Sequence, residues 1–272
     1  MEKFTTIQVK LKGTIARIYL NRPNVRNAFN NQMIEELNEA FNLVEEQYHH
    51  RALIIRGNGP VFSAGADLNW MKSTVDNTYE QNIEETKQLQ DLFENLYNLP
   101  VPTISIVHGA CIGGANGLAA ASDIVLAEQN TQFRFSEVRI GLVPATIAPF
   151  ILRRTGQYAA KYYMLTGKIF RSDEALRIGM ADAAGSMESL DTELDIILKE
   201  LHQNSPRAMR NTKKLINEIT RSSEDDQIRA KTIGAIARAR TSKEGQEGMR
   251  AFLEKRKPWW LQDEYSDTGE SS

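Results

Sequence analysis

The sequence predicts an α/β fold in which units of strands and one helix recur along the first half and helices dominate the second. About three times before residue 128, β-branched runs lead through small residues into a helical segment. From Ile147 onward, helix-like segments are the main pattern. The 272 residues are 41% hydrophobic and 25% charged, as in ordinary globular proteins, so a sizeable buried core is expected.

The first unit begins with a predicted β-hairpin, residues 7–11 and 14–20, joined by a turn at Lys12-Gly13. After a loop, Asn30 or Asn31 is a plausible N-cap for an amphipathic helix. Residues 52–57 are predicted as a short buried strand. We expect another strand over 61–68, ending in small residues, with Asp67 capping the segment that follows.

Residues 71–82 are polar and poorly periodic, which predicts a mobile loop or a frayed helix. The next helix carries apolar residues at helical spacing and ends before Pro100. The stretch 105–127 is predicted to form a strand, a tight glycine turn, a buried Ala-rich helix and a second strand.

Three late helices are predicted to begin near Ser205, Ser223 and Lys243. Their apolar stripes cannot all be buried within the tail, so they should pack on the core or on another subunit. The pair Trp259-Trp260 is typical of a structural anchor, and residues 266–272 are expected to be disordered.

Composition excludes several classes of function. A formal charge of −2 provides no basic field for nucleic acid, and no apolar run reaches the ~20 residues of a membrane span. The one cysteine, Cys111, excludes an internal disulfide framework, and the N-terminus lacks a secretory signal or transit pattern. We therefore predict a cytoplasmic protein. No His, Cys, Asp or Glu spacing suggests a metal site.

Two glycine-bearing corners follow separate strands, at residues 64–67 and 112–115. Backbone N–H groups converging from two such corners could stabilise a developing oxyanion, worth roughly 3–4 kcal/mol per donor. The alternative is that the glycines only allow close packing of helix on sheet. The second corner fails as a P-loop, because no lysine and hydroxyl residue follow at the required spacing.

Four segments together resemble the enoyl-CoA hydratase/isomerase (crotonase) superfamily, in order and over nearly the whole chain. They are Asn21-Arg22-Pro23 with Arg26-Asn27-Ala28, residues 62–68, His108-Gly109 with Gly113-Gly114, and residues 136–144. Within that superfamily, residues 67–72 and 144–149 most resemble bacterial methylglutaconyl-CoA hydratases of leucine breakdown.

The resemblance implies a spiral of ββα units over residues 1–200 and a helical region over 201–272 that forms a homotrimer or a dimer of trimers. It implies that the N–H groups of Ala66 and Gly114 bind the thioester oxygen of an acyl-CoA. It also places Glu137 at the family's second catalytic glutamate, which protonates the α-carbon in hydration or moves a proton in isomerisation.

The same resemblance implies how coenzyme A is bound as the carrier part of the substrate, without a separate cofactor. The residues it assigns to this part are Arg26, Ala28, Ala64, Asp67 and Leu68, together with Phe252 and Lys255 from the C-terminal helix of this chain or a neighbour.

Gly117 occupies the position of the family's first, water-activating glutamate. Three interpretations stay open from the sequence. Glu137 serves alone as acid and base, with water held by the backbone and Asn116; or Glu137 shuttles a proton in a Δ3,Δ2-enoyl-CoA isomerase; or a non-catalytic acyl-CoA- or RNA-binding protein remains. The favoured expectation is a hydratase, a hydro-lyase that adds water to a conjugated enoyl-CoA.

Overall fold

A computed structural model describes residues 4–47 and 49–261. Its strands are β1 Ile7–Lys10, β2 Ile15–Leu20, β3 Ala52–Gly57, β4 Thr103–Val107, β5 Ala110–Ile112, β6 Ile124–Glu128, β7 Gln132–Arg134 and β8 Ala183–Gly185. Its α-helices are α1 Asn31–Glu46, α2 Leu68–Ser73, α3 Tyr79–Asn98, α4 Ala115–Ala121, α5 Ala148–Thr166, α6 Ser172–Arg177, α7 Met187–Gln203, α8 Pro206–Ile219, α9 Asp225–Thr241 and α10 Lys243–Leu253.

The main sheet has six strands in the order β1-β2-β3-β4-β6-β8. The predicted hairpin is confirmed, since β1 and β2 pair antiparallel with Ile7 opposite Leu20. All the other neighbours in this sheet pair parallel. Each successive strand therefore enters from the same end of the sheet, and the chain must cross back over the sheet between strands.

Short extended segments of the chain, which follow strands of the main sheet, form a second and smaller layer. β5 and β7 pair parallel there, and single bridges join Phe29 to Ala66, Ser63 to Cys111 and Phe133 to Phe170. One strand, one short segment and one helix thus make one turn of a spiral, as the α/β prediction requires. The predicted strand over 61–68 is wrong in its extent, because the segment makes only isolated bridges before α2 begins at Leu68.

The two faces of the main sheet are buried against different helices. One face packs Ile54, Ile104 and Ile106 against α7 through Leu194 and Leu198. The other face packs on α1, α3 and α4 in a larger cluster. Parallel strands covered on both faces are apolar almost throughout, which explains the uninterrupted β-branched runs of the sequence.

The second half is mainly helical, as predicted, although β8 adds one strand that the sequence pattern did not reveal. Ser205 caps α8 by accepting a hydrogen bond from the Ala208 amide, with Pro206 in the first turn. Trp260 is buried, which fits the predicted anchor. No helix within residues 4–47 and 49–261 combines the length and apolar character needed to cross a membrane. The disorder expected for residues 266–272 lies outside the described part of the chain.

Candidate active site

The two glycine corners lie side by side in the second layer. Ser63 pairs in parallel with Cys111, so an equal step of three residues leads to Ala66 on one segment and Gly114 on the other. Gly65 packs directly on the second corner, since a Cβ at Gly65 would lie 2.8 Å from the Ile112 carbonyl oxygen. With a φ of +91° as well, this position requires glycine.

The Ala66 amide is left free by the pairing of its neighbours. The Phe29 amide donates to the Gly65 oxygen at 2.7 Å, and the Asp67 amide donates to the Phe29 oxygen at 2.8 Å. Alternate amides of an extended segment point in opposite directions. Ala66 therefore turns its N–H away from Phe29, and no hydrogen bond within the described residues uses it.

The Gly114 amide belongs to a peptide unit that is fixed through its carbonyl end. The carbonyl oxygen of Gly113 accepts hydrogen bonds from the Asn116 amide and from Asn116 Nδ2, both at 3.0 Å. Asn116 is fully buried, and its Nδ2 also donates to the Arg134 oxygen. Because N–H and C=O point opposite ways in a trans peptide, Asn116 aims the Gly114 N–H outward, where no described residue accepts it.

Ala66 and Gly114 both line one cavity of about 390 Å³, a size typical of small-molecule sites. Its lining includes Ala66, Gly114 and Glu137, which the sequence analysis singled out as one chemical unit. The other lining residues are Phe29, Trp70, Met71, Thr74, Asn82, Glu85, Thr86, Leu89, Leu142, Val143, Pro144, Ala145 and Thr146.

Glu137 begins a short 3-10 helix, Glu137–Ile140, directly after β7. Its Oε2 atom is buried and has no hydrogen-bond partner among the described residues. Burial raises the pKa of the Glu137 carboxyl above its ordinary value, against the opposing effect of nearby backbone N–H groups. The arrangement offers a proton carrier beside two unsatisfied donors, which suits the making and breaking of a bond to hydrogen next to a thioester carbonyl.

Gly117 lies in a space that admits no side chain. A Cβ there would lie 2.5 Å from Phe93 Cζ and 2.7 Å from Ile147 Cγ2, and the residue is buried in α4. Phe93 and Ile147 therefore occupy the volume that a carboxylate at this position would need. Asn116, considered above as a holder of water, is absent from the residues that line the cavity.

Most of the residues predicted to bind coenzyme A lie together beside Ala66. The Ala64 amide donates to the Arg26 oxygen at 2.9 Å, next to Ala28. Asp67 is already engaged: Oδ1 caps α2, and Oδ2 pairs with Arg22 Nη2 at 2.8 Å. Although burial opposes ionisation, the Asn69 amide and Arg22 lower the pKa of Asp67. Leu68 is largely exposed at the start of α2.

Phe252 and Lys255 lie elsewhere, at the end of α10. That helix packs on α8 and α9, and a Cβ at Gly248 would lie 3.1 Å from Trp260 Cη2. Phe252 is 82% exposed. Within the described residues of one chain, neither side chain lines the cavity, so their role in binding coenzyme A stays a prediction.

A larger cavity of about 850 Å³ opens between α5 and α6, but it contains none of the predicted site residues. Glu174 in its lining accepts hydrogen bonds from both Arg177 and Tyr163. Cys111 is fully buried and its pKa is raised by burial, which makes it an unreactive thiol. No cluster of three or more potential metal ligands occurs among residues 4–47 and 49–261.

A spiral of parallel strands whose successive corners open on one cavity is the architecture of the crotonase fold. The enoyl-CoA hydratase/isomerase family model matches residues 10–263. The crystal structure of an enoyl-CoA hydratase from Shewanella pealeana superimposes with a TM-score of 0.91 at 37% identity, covering 95% of this chain and 97% of that one. The chain belongs to the enoyl-CoA hydratase/isomerase family.

Two curated relatives cover most of the chain as well. The mitochondrial enoyl-CoA hydratase domain-containing protein 3 of Danio rerio is 32% identical over 250 residues, which are 92% of this chain and 85% of the relative. Trans-2-decenoyl-acyl-carrier-protein isomerase of Streptococcus mutans is 29% identical over 259 residues, with 94% and 97% covered. The family name and these relatives include both hydratases and isomerases.

The sequence analysis missed several lining residues of α2 and α3, above all Trp70 and Glu85. Trp70 Nε1 is buried without a partner among the described residues, and Glu85 brings a second carboxylate into the lining. Helical spacing could have found Glu85, because it lies four residues before Leu89 on the same face of α3. The spacing alone does not reveal that this face turns towards the cavity.

Proposed function

We propose that this chain is an enoyl-CoA hydratase that adds water across the double bond of a conjugated acyl-CoA thioester. The observation that supports it is the meeting of the free Ala66 and Gly114 amides with Glu137 in one cavity. Water attacks the β-carbon, and negative charge moves to the thioester oxygen, where the two amides stabilise it. A carboxylate of the cavity takes the proton that the attacking water loses, and Glu137 delivers a proton to the α-carbon.

Incubation with trans-2-enoyl-CoA and 3-enoyl-CoA in oxygen-18 water tests this reaction. We expect the label in a 3-hydroxyacyl product from the 2-enoyl substrate. Double-bond migration without incorporation of the label would establish the isomerase instead. Binding of acyl-CoA without any turnover would establish a non-catalytic protein.

The isomerase is the second candidate, because Phe93 and Ile147 fill the place of a water-activating carboxylate at Gly117. A single carboxylate is enough to move a proton between two carbons. The Streptococcus mutans relative carries the name of an isomerase of this kind, and the labelling experiment separates the two reactions directly.

For the acyl chain, we propose a short branched group, with methylglutaconyl-CoA as the specific candidate. The segments that resemble methylglutaconyl-CoA hydratases contribute Trp70, Met71 and residues 144–146 to the lining. Among residues 4–47 and 49–261, no lysine or arginine lines the cavity, so a terminal carboxylate would depend on donors such as the Trp70 indole N–H, which has no partner there.

A comparison of methylglutaconyl-CoA with 3-methylcrotonyl-CoA, which has the same branch without the carboxylate, tests the acyl chain. A higher kcat/KM for methylglutaconyl-CoA supports the specific candidate. A preference for the neutral thioester would refute that substrate and leave hydration itself intact.

We also propose a homotrimer or a dimer of trimers, assembled through the region 201–272; the boundary at residue 200 stays a prediction. In a single chain, helices α8 to α10 leave large apolar side chains exposed: Ile216, Ile233, Ile236, Met249, Phe252 and Leu253. Sedimentation velocity measures the assembly, and a stable monomer would contradict it.

A further inference from the structure

The cavity that contains Glu137 has a second acidic residue in its lining, Glu85 on α3. We propose that Glu85 is the second catalytic carboxylate of this site, the general base that takes a proton from the attacking water. This inference rests on the proposed hydration. It replaces the carboxylate missing at Gly117 with one supplied by a different helix.

Packing along one face of α3 explains why the carboxylate comes from this helix. Glu85, Leu89 and Phe93 follow at four-residue steps and so lie on one face. Phe93 fills the space beside Gly117, and Leu89 lines the cavity. Eight residues correspond to about 12 Å along a helix, so Glu85 lies one to two turns beyond Leu89 and Phe93 on the face that lines the cavity at Glu85 and Leu89.

Glu85 is half-buried and held at one oxygen only. Asn77 Nδ2 donates to Glu85 Oε2 at 3.3 Å. Asn77 is itself fixed in the turn before α3, where its amide donates to the Thr74 oxygen and its carbonyl accepts from Asn82 Nδ2. Oε1 accepts no hydrogen bond from any described residue, which leaves it available to a water molecule.

The two carboxylates lie in different environments. Glu85 accepts a hydrogen bond from Asn77 Nδ2 at one oxygen. Glu137 Oε2, by contrast, is buried without a partner, and burial raises the pKa of Glu137. In this proposal the buried Glu137 is the acid, and Glu85, whose Oε1 is open to a water molecule, is the base.

The proposed step is balanced in atoms and charge. Glu85 accepts a proton from water as the water oxygen forms a bond to the β-carbon of the enoyl thioester. The π electrons of the double bond move to the α-carbon and the thioester oxygen, and protonated Glu137 donates its proton to the α-carbon. Glu85 is left protonated and Glu137 ionised, and exchange with solvent restores both.

Glu85→Gln is the test, because the variant keeps the size of the side chain and an oxygen for Asn77. We expect its kcat for hydration of a trans-2-enoyl-CoA to fall by about 100-fold or more. Glu84→Gln is the matched control: it removes one charge from the same helix at an exposed residue that pairs with Lys87 outside the cavity. Its kcat should stay within about twofold of the starting protein.

Exchange of the α-protons of butyryl-CoA in deuterated water provides a second readout. Exchange needs the two amides and Glu137 but no attacking water. We expect Glu85→Gln to retain exchange and lose hydration, whereas Glu137→Gln loses both.

Hydration at the original rate in Glu85→Gln, or an equal loss of hydration and exchange in a folded variant, would overturn the role of Glu85. Circular dichroism establishes that the variant is folded. Failure of the proposed function looks different, because the unmodified protein would then incorporate no oxygen-18 from water into any enoyl-CoA.

Discussion

The cavity has two walls that are built in different ways. We call Ala66, Gly114 and Glu137 the spiral wall, and the lining residues of α2 and α3 the helical wall. The spiral wall is positioned by backbone: paired segments, a glycine at φ +91° and a peptide fixed by Asn116. The helical wall is made of side chains on two helices.

This difference separates two parts of the function. Backbone donors at fixed corners stabilise one kind of charge, an oxyanion at the thioester, whatever the acyl chain. Side chains on a helix can be exchanged without altering the sheet. In the proposed hydration, the α-carbon chemistry therefore belongs to the spiral wall, and the choice of acyl chain and the activation of water belong to the helical wall.

Removing the carboxylate of the spiral wall should have the largest effect. Glu137→Gln should lower kcat for hydration by about 10²–10⁴-fold, because the α-carbon loses its proton donor. Binding of butyryl-CoA, measured by calorimetry, should change little, since the amides remain. Turnover at the original rate would remove Glu137 from the mechanism.

Removing one backbone donor should have the next largest effect. Gly114→Pro eliminates the N–H, and the φ of −55° at this residue suits proline. We expect kcat to fall by about 10²–10³-fold, measured on the same 2-enoyl thioester.

Gly114→Ala is the matched control, because it keeps the N–H and its Cβ would lie 3.5 Å from Phe29, an ordinary contact. Equal losses in the two variants would mean that crowding, rather than a missing donor, impairs the site. A thermal unfolding curve for each variant separates misfolding from loss of chemistry.

Local signals in the sequence predict the turns and helix starts near the cavity, whereas the roles of Ala66, Gly114 and Glu137 rest on the family resemblance. Gly113-Gly114 after a β-branched run and Asn30 before an apolar stripe are signals read within a few residues. The segment 61–68 has the composition of a strand, but the pairing that would make it one depends on distant residues. Glu85 and Phe93 share a predicted helix, yet only the packing of α3 on α4 decides that one faces the cavity and the other closes Gly117.

The packing of α3 on α4, the helices that carry Phe93 and Gly117, can be tested through stability. Gly117→Ala places a Cβ 2.5 Å from Phe93 Cζ, and we expect the free energy of unfolding to fall by about 1–3 kcal/mol. Urea denaturation measures this loss. Phe93→Leu removes the opposing ring atoms, so the double variant should lose less free energy of unfolding than the sum of the two single variants. Additive losses would show that residues 93 and 117 are not in contact.

The smallest effect is expected at Asp67, which follows Ala66 and caps α2 at the rim of the cavity. Asp67→Asn keeps an oxygen for the helix cap but loses the charge that pairs with Arg22. We expect the free energy of unfolding to fall by about 1 kcal/mol at neutral pH.

The lowered pKa of Asp67 predicts how its contribution to the free energy of unfolding changes with pH. Because the folded-state pKa of Asp67 is lowered, its contribution is present above the ordinary aspartate pKa and is lost as the pH falls through the lowered value. Urea denaturation should therefore show a stability difference between the starting protein and Asp67→Asn at neutral pH. That difference should shrink at acid pH as the Asp67 carboxyl is protonated. A variant of unchanged stability that binds coenzyme A thioesters more weakly would instead make Asp67 a ligand contact, and would place part of the coenzyme site on the rim itself.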